Sequence, residues 1–168
     1  NYFGKVYYGG NKMDSELRSK IDRIWDDLAA AGVTNPLTVI EQITYLLFIK
    51  SLDEIEIIKE KNDNLLGITS KRIFDEKHQE CRWSKFKNMS ATEMFNVVST
   101  KVFPFIRNLQ PSKESSFSRY MESAIFVVPT ALVLEKVVTQ LDSIPMKERD
   151  TKGDIYEYML SKLSTSGD

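Results

Sequence analysis

The spacing of apolar residues predicts a first helix between Asp14 and Gly32. Large apolar side chains recur there three and four positions apart, which is the repeat of a helix with one buried face; they are Leu17, Ile21, Ile24, Trp25 and Leu28. Asp14 or Ser15 suits the N-cap, because a short side-chain oxygen accepts a hydrogen bond from the first turn. Gly32 suits the stop, because glycine adopts the left-handed backbone that ends many helices.

The same repeat predicts a second, longer helix from Leu37 to about Lys61, after a turn at Asn35-Pro36. Apolar residues occupy more than one side of its middle, so we expect that part to be buried nearly all round; they include Ile40, Ile43, Tyr45, Leu46, Leu47, Phe48 and Ile49. The carboxylates near its end are interpreted as a solvated face; they are Asp53, Glu54, Glu56 and Glu60. We expect this helix to be the central element.

No sustained period runs from Asn62 to Asn88, which predicts a long connection with one short helix near Ser70 to Cys81. Near its end, the segment Arg82-Trp83-Ser84-Lys85-Phe86 mixes bulky aromatic residues with basic ones. We expect an extended segment that anchors Trp83 and Phe86 in the core while its charges face water.

A further helix is predicted from Ser90, its N-cap, to Leu109. Pro104 falls inside this helix, and a proline costs about 3 kcal/mol in a regular helix interior. A kink or break is therefore expected near Lys101. The serine-rich stretch from Gln110 to Ser118 is predicted to be a polar loop.

Three shorter helical segments complete the pattern. They are a short helix within Phe117 to Phe126, a helix capped by Thr130 that ends near Ser143, and a last helix from Gly153 to Leu163. No alternating run of the kind that marks a strand competes with them. The predicted fold is all-α, an irregular bundle of about six to eight helices.

Composition narrows the class of protein. The 168 residues carry 23 basic and 24 acidic side chains, a formal net charge of -1, which excludes the global positive field of a freestanding nucleic-acid binder but not a local patch. One cysteine and no recognisable secretory leader predict a cytoplasmic protein. The longest apolar run, Ile43 to Ile49, is far shorter than the ~20 residues of a membrane span, so no membrane partner is expected.

The residues that usually carry catalysis are scarce. His78 has no partner cysteine or histidine at metal-ligand spacing, and Cys81 is interpreted as a buried, idle thiol. A nucleophile elbow, a P-loop and a G-x-G-x-x-G loop are all missing from the sequence. We therefore expect no catalytic, cofactor-binding or metal-binding residue in this chain.

One segment departs from the balanced charge. Between positions 71 and 87, six basic residues stand against three acids, a local excess of three. Such a strip can neutralise DNA phosphates, and three neutralised phosphates would give a log-log salt slope of about -2.7. We hypothesise DNA-backbone contacts here, with an ordinary solvated loop as the alternative; the proposed contact residues are Lys71, Arg72, Arg82, Lys85 and Lys87.

Five separated stretches carry a family resemblance. They are residues 16–26, residues 35–50, residues 82–86, residues 141–144 and the closing run Lys152-Gly153-Asp154-Ile155-Tyr156-Glu157-Tyr158. In this order, over Met13 to Asp168, they resemble the N-terminal domain of HsdM, the modification subunit of type I restriction-modification systems. In that family the closing run leads from a helical domain into a DNA-adenine methyltransferase domain.

The resemblance implies a division of labour. The parent protein would transfer a methyl group from S-adenosylmethionine to adenine in double-stranded DNA, after flipping the base out of the duplex. The family's Phe-x-Thr-Pro and Asn-Pro-Pro-Phe motifs, which serve the cofactor and the target adenine, do not occur in this sequence. This chain alone is therefore expected to be non-catalytic and to bind no cofactor.

The resemblance also implies a domain organisation. Residues 1–12 would be an expression-derived or variable leader, or else a native strand or arm. Residues 13–150 would form the helical domain, and residues 151–168 a junction helix that leads to an absent methyltransferase domain.

The partners implied by the resemblance are double-stranded DNA, a specificity subunit, a restriction subunit and a second modification subunit. Assembly needs an exposed apolar face, and Tyr120, Phe126 and Val127 are candidates, although each also suits a core. The main alternative is a stand-alone helical adaptor that binds a protein partner. A complete small enzyme is disfavoured by the missing motifs.

Overall fold

A computed structural model describes residues 13–109, 120–146 and 151–166, with side chains as far as residue 163. All regular elements in these ranges are helical, which confirms the all-α prediction. The predicted leader at residues 1–12 and the polar loop at residues 110–118 lie outside the described residues. The elements are α1 (Ser15–Ala30), α2 (Pro36–Leu66), a 3-10 helix (Glu76–Cys81), α3 (Trp83–Phe86), α4 (Ala91–Val97), a π-helical segment (Val98–Val102), α5 (Phe103–Asn108), α6 (Ala131–Asp142) and α7 (Thr151–Ser166).

The first helix begins and ends where the sequence predicts. The Asp14 carboxylate accepts a hydrogen bond from the Leu17 amide at 2.8 Å, so Asp14 is the N-cap. Gly32, with φ of 111°, turns the chain after the helix ends. A side chain at this position would be strained, because residues other than glycine rarely adopt positive φ.

The second helix is longer than predicted. It begins at Pro36, behind the N-cap Asn35, and continues five residues beyond Lys61 to Leu66, where Gly67 adopts the left-handed conformation with φ of 67°. Its middle is buried nearly all round, as predicted: Leu46 and Ile49 are fully covered. Its last third is held by polar contacts rather than by the apolar core, which is why the apolar period did not reveal it.

The break expected near Lys101 is present as a π-helical segment, Val98–Val102, between α4 and α5. Pro104 follows at the start of α5, where its missing N–H costs no helical hydrogen bond. The hydroxyls of Ser99 and Thr100 donate to the carbonyls of Phe95 and Asn96 at 2.7 and 2.6 Å, which satisfies acceptors in the disturbed turn. The prediction of an interrupted helix is thus confirmed.

The core is built from helix pairs. Helix α4 packs on α6, α6 on α1, and α7 on α2. The last helix begins at Thr151, two residues before the predicted Gly153, and buries a narrow stripe of Thr151, Ile155 and Met159. Helix α7 therefore packs less completely than α2, as predicted.

An aromatic and ionic contact ties the end of α7 to α1. The Lys162 ammonium lies 4.9 Å from the centre of the Trp25 ring and 2.9 Å from the Asp22 carboxylate. The Tyr158 hydroxyl donates to the same carboxylate at 2.8 Å. Partial burial opposes ionisation of Asp22, but the hydrogen bonds from Lys162 and Tyr158 hold its pKa below the usual range.

Candidate functional site

The second half of α2 is inverted relative to an ordinary surface helix. Asp53, Glu56, Glu60 and Asp63 follow one another at spacings of three and four, so they share a face. We call them the acidic row. Asp53 is 2% exposed, Glu56 0% and Asp63 5%. The interpretation of this face as solvated is therefore wrong for Asp53 and Glu56, because the connection between α2 and α4 covers it.

Glu56 is the most deeply placed member of the acidic row. Its carboxylate accepts hydrogen bonds from the backbone amides of Ile73, at 2.9 and 3.1 Å, and Phe74, at 2.9 Å. Hydrogen bonds to an ionised acceptor are about twice as strong as neutral ones, and they compensate the burial of the charge. Glu56 thus fixes the connection at the point where the Phe74 side chain enters the core.

Asp63 fixes the beginning of the same connection. One of its carboxylate oxygens accepts from the Ser70 amide at 2.8 Å, the Ser70 hydroxyl at 2.9 Å and the Arg72 guanidinium at 2.8 Å. These contacts, led by the Ser70 amide, lower the pKa of Asp63. Arg72 is therefore already engaged in an internal ion pair, with its side chain 33% exposed.

Arg82 crosslinks two members of the acidic row. Its Nε donates to Asp53, while Nη1 and Nη2 donate to the two oxygens of Glu60 at 2.9 and 3.0 Å. Hydrogen bonding to Glu60 is the main reason that the pKa of Arg82 is raised, and the same contact lowers the pKa of Glu60. At 7% exposure, Arg82 conflicts with the expectation that it faces water and contacts DNA.

Asp53 also explains why residues 83–86 form a helical turn rather than the predicted extended segment. The Arg82 side chain provides no cap for α3, but the second oxygen of Asp53 accepts from the Ser84 amide at 2.8 Å. A carboxylate from α2 thus fills the N-cap role for another helix. Trp83 and Phe86 are buried, as predicted, and the Trp83 indole N–H donates to Asp142 at 2.8 Å.

The basic strip is thereby divided into internal and exposed residues. Lys71, Lys77 and Lys85 are exposed, and none has an ion-pair partner within the described part of the chain. Lys87 is shared with Asp142, at 3.3 Å from both carboxylate oxygens. Of the five predicted DNA contacts, Lys71 and Lys85 are fully available, Lys87 partly, and the two arginines brace the strip from inside.

The three predicted partner residues do not form one exposed face. Tyr120 packs against Tyr45 with ring centres 5.3 Å apart, and Phe126 packs edge-on against Phe103 at 5.1 Å. Burial raises the pKa of Tyr120. Only Val127, at 40% exposure, faces outward.

Gln42 holds the strand-like segment that carries Val127. The buried Gln42 amide donates to the Ile125 carbonyl at 2.8 Å and accepts from the Val127 amide at 3.0 Å. Ile125, which the sequence reasoning missed, is 64% exposed beside Val127. The two outward residues are therefore set by one buried amide on α2.

A larger apolar surface lies on the side of α2 opposite the acidic row. We call it the outward stripe; it consists of Ile55, Ile58, Leu65, Leu66 and, after the helix end, Ile68, which are 48%, 58%, 83%, 69% and 55% exposed. The sequence reasoning missed it by assigning the acids to solvent. The available signal was the change of apolar face after Leu52, where isoleucines replace acids on the opposite side of the helical repeat.

Reactive side chains are not arranged for catalysis in the described ranges. Cys81 is buried, and burial raises the pKa of its thiol to about 11, so little thiolate forms at neutral pH. His78 Nδ1 lies 2.7 Å from Asp75, which lowers the pKa of that carboxyl. Residues 13–109, 120–146 and 151–166 contain no cluster of three metal-ligating side chains and no helix that is long and apolar enough to cross a membrane.

Comparison with known proteins adds two findings. A family described as "HsdM N-terminal domain" has a model that matches residues 17–141. A chain from a structure described by complex assembly and conformational transition of the type I R-M system is similar in fold, with a TM-score of 0.68 and 21% identity. The match covers 90% of this chain and 31% of that chain. No curated protein matches.

Proposed function

The chain belongs to the HsdM N-terminal domain family, and on that premise we propose that it is the helical assembly domain of a type I restriction-modification modification subunit. The family match over residues 17–141, which spans α1 to α6, carries this proposal. The similar fold within a type I R-M structure supports it. A stand-alone adaptor would leave the family match unexplained.

The chemistry of the whole protein is part of the proposal. The parent protein would transfer a methyl group from S-adenosylmethionine to adenine in double-stranded DNA. This domain would contribute no catalytic or cofactor-binding residue. We assign residues 13–150 to the helical domain and residues 151–168 to the junction with a methyltransferase domain. The proposed partners are a specificity subunit, a restriction subunit and a second modification subunit.

We further propose that the exposed part of the basic strip contacts the DNA backbone. Lys71 and Lys85 are the available cations, with Lys87 as a weaker contributor because it is shared with Asp142. Arg72 and Arg82 serve indirectly, since their pairs with the acidic row hold the connection that carries the lysines. Two phosphates would give a log-log salt slope of about -1.8, smaller than the sequence alone suggested.

The assembly role is tested by deleting residues 17–141 from the full modification subunit. We expect the deleted subunit to lose its stable complex with the specificity subunit in size-exclusion chromatography. Binding of S-adenosylmethionine by the deleted subunit serves as the folding control. A deletion that binds cofactor and still assembles fully would overturn the assembly role.

The DNA contact is tested by the double variant Lys71→Glu, Lys85→Glu in the assembled enzyme. We expect the log-log salt slope of DNA binding to fall in magnitude by about 1.8, because two phosphate contacts are lost. Lys136→Glu is the matched control, since Lys136 lies on α6 with its side chain 65% exposed. A slope equal to that of the unmodified enzyme would contradict the DNA contact.

A further inference from the structure

The outward stripe has the dimensions of a helix-binding surface. From Ile55 to Leu66 it follows α2 for eleven residues, which is about 17 Å and three turns at the rise of an α-helix. Each of its apolar side chains is about half exposed or more. Contiguous apolar surface of this kind marks interaction sites, whereas isolated exposed apolar residues do not.

The acidic row prevents α2 from rotating to bury this stripe. Rolling the helix would remove Glu56 from the Ile73 and Phe74 amides and Asp53 from Arg82. Each buried group left without its partner costs free energy. The internal contacts therefore hold the outward stripe in an exposed position, and a partner must cover it from outside.

The charges beside the stripe are positive. Lys59 and Lys61 are two residues apart, which is roughly 160° around the helix, so one lysine lies on each flank of the stripe. Glu54 lies on the same side as Lys61, but it is paired with Lys50 at 3.0 Å. The nearby carboxylates of the acidic row point inward and bind Arg72, Arg82 and backbone amides.

We propose that the outward stripe binds an amphipathic helix of a partner chain that carries acidic residues on both sides of its apolar face. Apolar side chains spaced by three and four residues would cover the stripe, and the flanking acids would meet Lys59 and Lys61. A second copy of this chain fits less well, because it would bring lysines against lysines. The inference deepens the proposed assembly role and rests on it for the identity of the partner as a subunit.

The test uses two designed peptides and the full chain. Both peptides are about 20 residues long, enough for measurable helicity, and share one leucine face. One carries glutamates on both flanks and the other lysines. Binding is measured by fluorescence anisotropy at low salt. We expect the glutamate-flanked peptide to bind at least about tenfold more tightly than the lysine-flanked peptide.

Variants of the chain locate the binding surface. Ile58→Asp with Leu65→Asp is expected to weaken binding of the glutamate-flanked peptide by at least about tenfold, because two apolar contacts are lost. Leu132→Asp is the matched control, because Leu132 is 73% exposed on α6, and it should bind as the unmodified chain does. Lys59→Glu with Lys61→Glu should reverse the preference between the two peptides.

Three results would overturn the proposal. They are equal binding of the two peptides, unchanged binding by the Ile58→Asp, Leu65→Asp variant, or a concentration-dependent dimer in sedimentation that this variant abolishes. The last result would assign the stripe to a second copy. If the peptide test fails while the deletion experiment shows loss of assembly, the docking surface is wrong and the proposed function stands.

Discussion

The two halves of α2 use the same helix in opposite ways. From Val39 to Ser51 it is buried on several sides by apolar neighbours, whereas from Asp53 to Asp63 it turns carboxylates inward and isoleucines outward. The first half is stabilised by removing apolar surface from water. The second is stabilised by charge-assisted hydrogen bonds to a connection that has little regular structure of its own.

This difference shows how a carboxylate row can organise a loop. Glu56 and Asp63 accept backbone amides at residues 70, 73 and 74, so they do for the connection what a neighbouring strand or helix turn would otherwise do. Asp53 caps α3 in the same way. The outward stripe is then a consequence, because the inner face of the helix is already occupied.

The largest effect is expected from removing Arg82. Arg82→Ala would leave Asp53 buried without its cation, and breaking a buried pair from one side costs about 3–5 kcal/mol. The free energy of unfolding in urea measures this loss. Lys85→Ala, on the exposed side of the same segment, should change it by no more than about 0.5 kcal/mol. Equal losses in the two variants would mean that the acidic row does not stabilise the fold.

A matched pair of leucines compares the two halves directly. Leu46→Ala removes a fully buried side chain from the first half and should lower the free energy of unfolding by about 2–5 kcal/mol. Leu65 is 83% exposed in the second half, so Leu65→Ala should cost no more than about 0.5 kcal/mol. Urea unfolding of both variants checks the contrast. A large loss from Leu65→Ala would show that the outward stripe is covered within the chain itself.

A smaller effect is expected on acidification. Because the pKa of Glu60 and that of Asp63 are lowered in the fold from ordinary values of 4.5 and 3.8, their stabilisation is complete above those values and is lost as the pH falls through the lower folded values. The free energy of unfolding should therefore be flat from pH 7 to about 5.5 and decline below about 4.5. Glu60→Gln should be less stable at pH 7 and decline less. An identical decline in this variant would contradict the role of Glu60.

The helices and most of the core followed from the sequence because apolar period, caps and breakers act locally. Asp14 and Gly32 set the ends of α1, and Pro104 announced the interruption before α5. The family resemblance also came from the sequence, and the match over residues 17–141 confirms it.

The acidic row could not be predicted in the same way. An acid on an amphipathic helix usually faces water, and only the partners 9 to 31 residues later along the chain reverse that rule. The strip at 71–87 was recognised as basic, but its division into buried arginines and exposed lysines depends on those long-range pairs. Tyr120 and Phe126 were proposed as surface candidates because sequence does not show which aromatic neighbours cover them.

Amide hydrogen exchange at Ile73 and Phe74 tests most directly whether the acidic row organises the connection. If Glu56 accepts both amides, they should exchange at least about a hundredfold more slowly than unstructured amides, although they lie outside any helix. In Glu56→Ala the same two amides should exchange rapidly while those of Leu46 and Ile49 stay protected. Rapid exchange of Ile73 and Phe74 in the unmodified protein, at the rate of an unstructured chain, would contradict the inverted arrangement of α2.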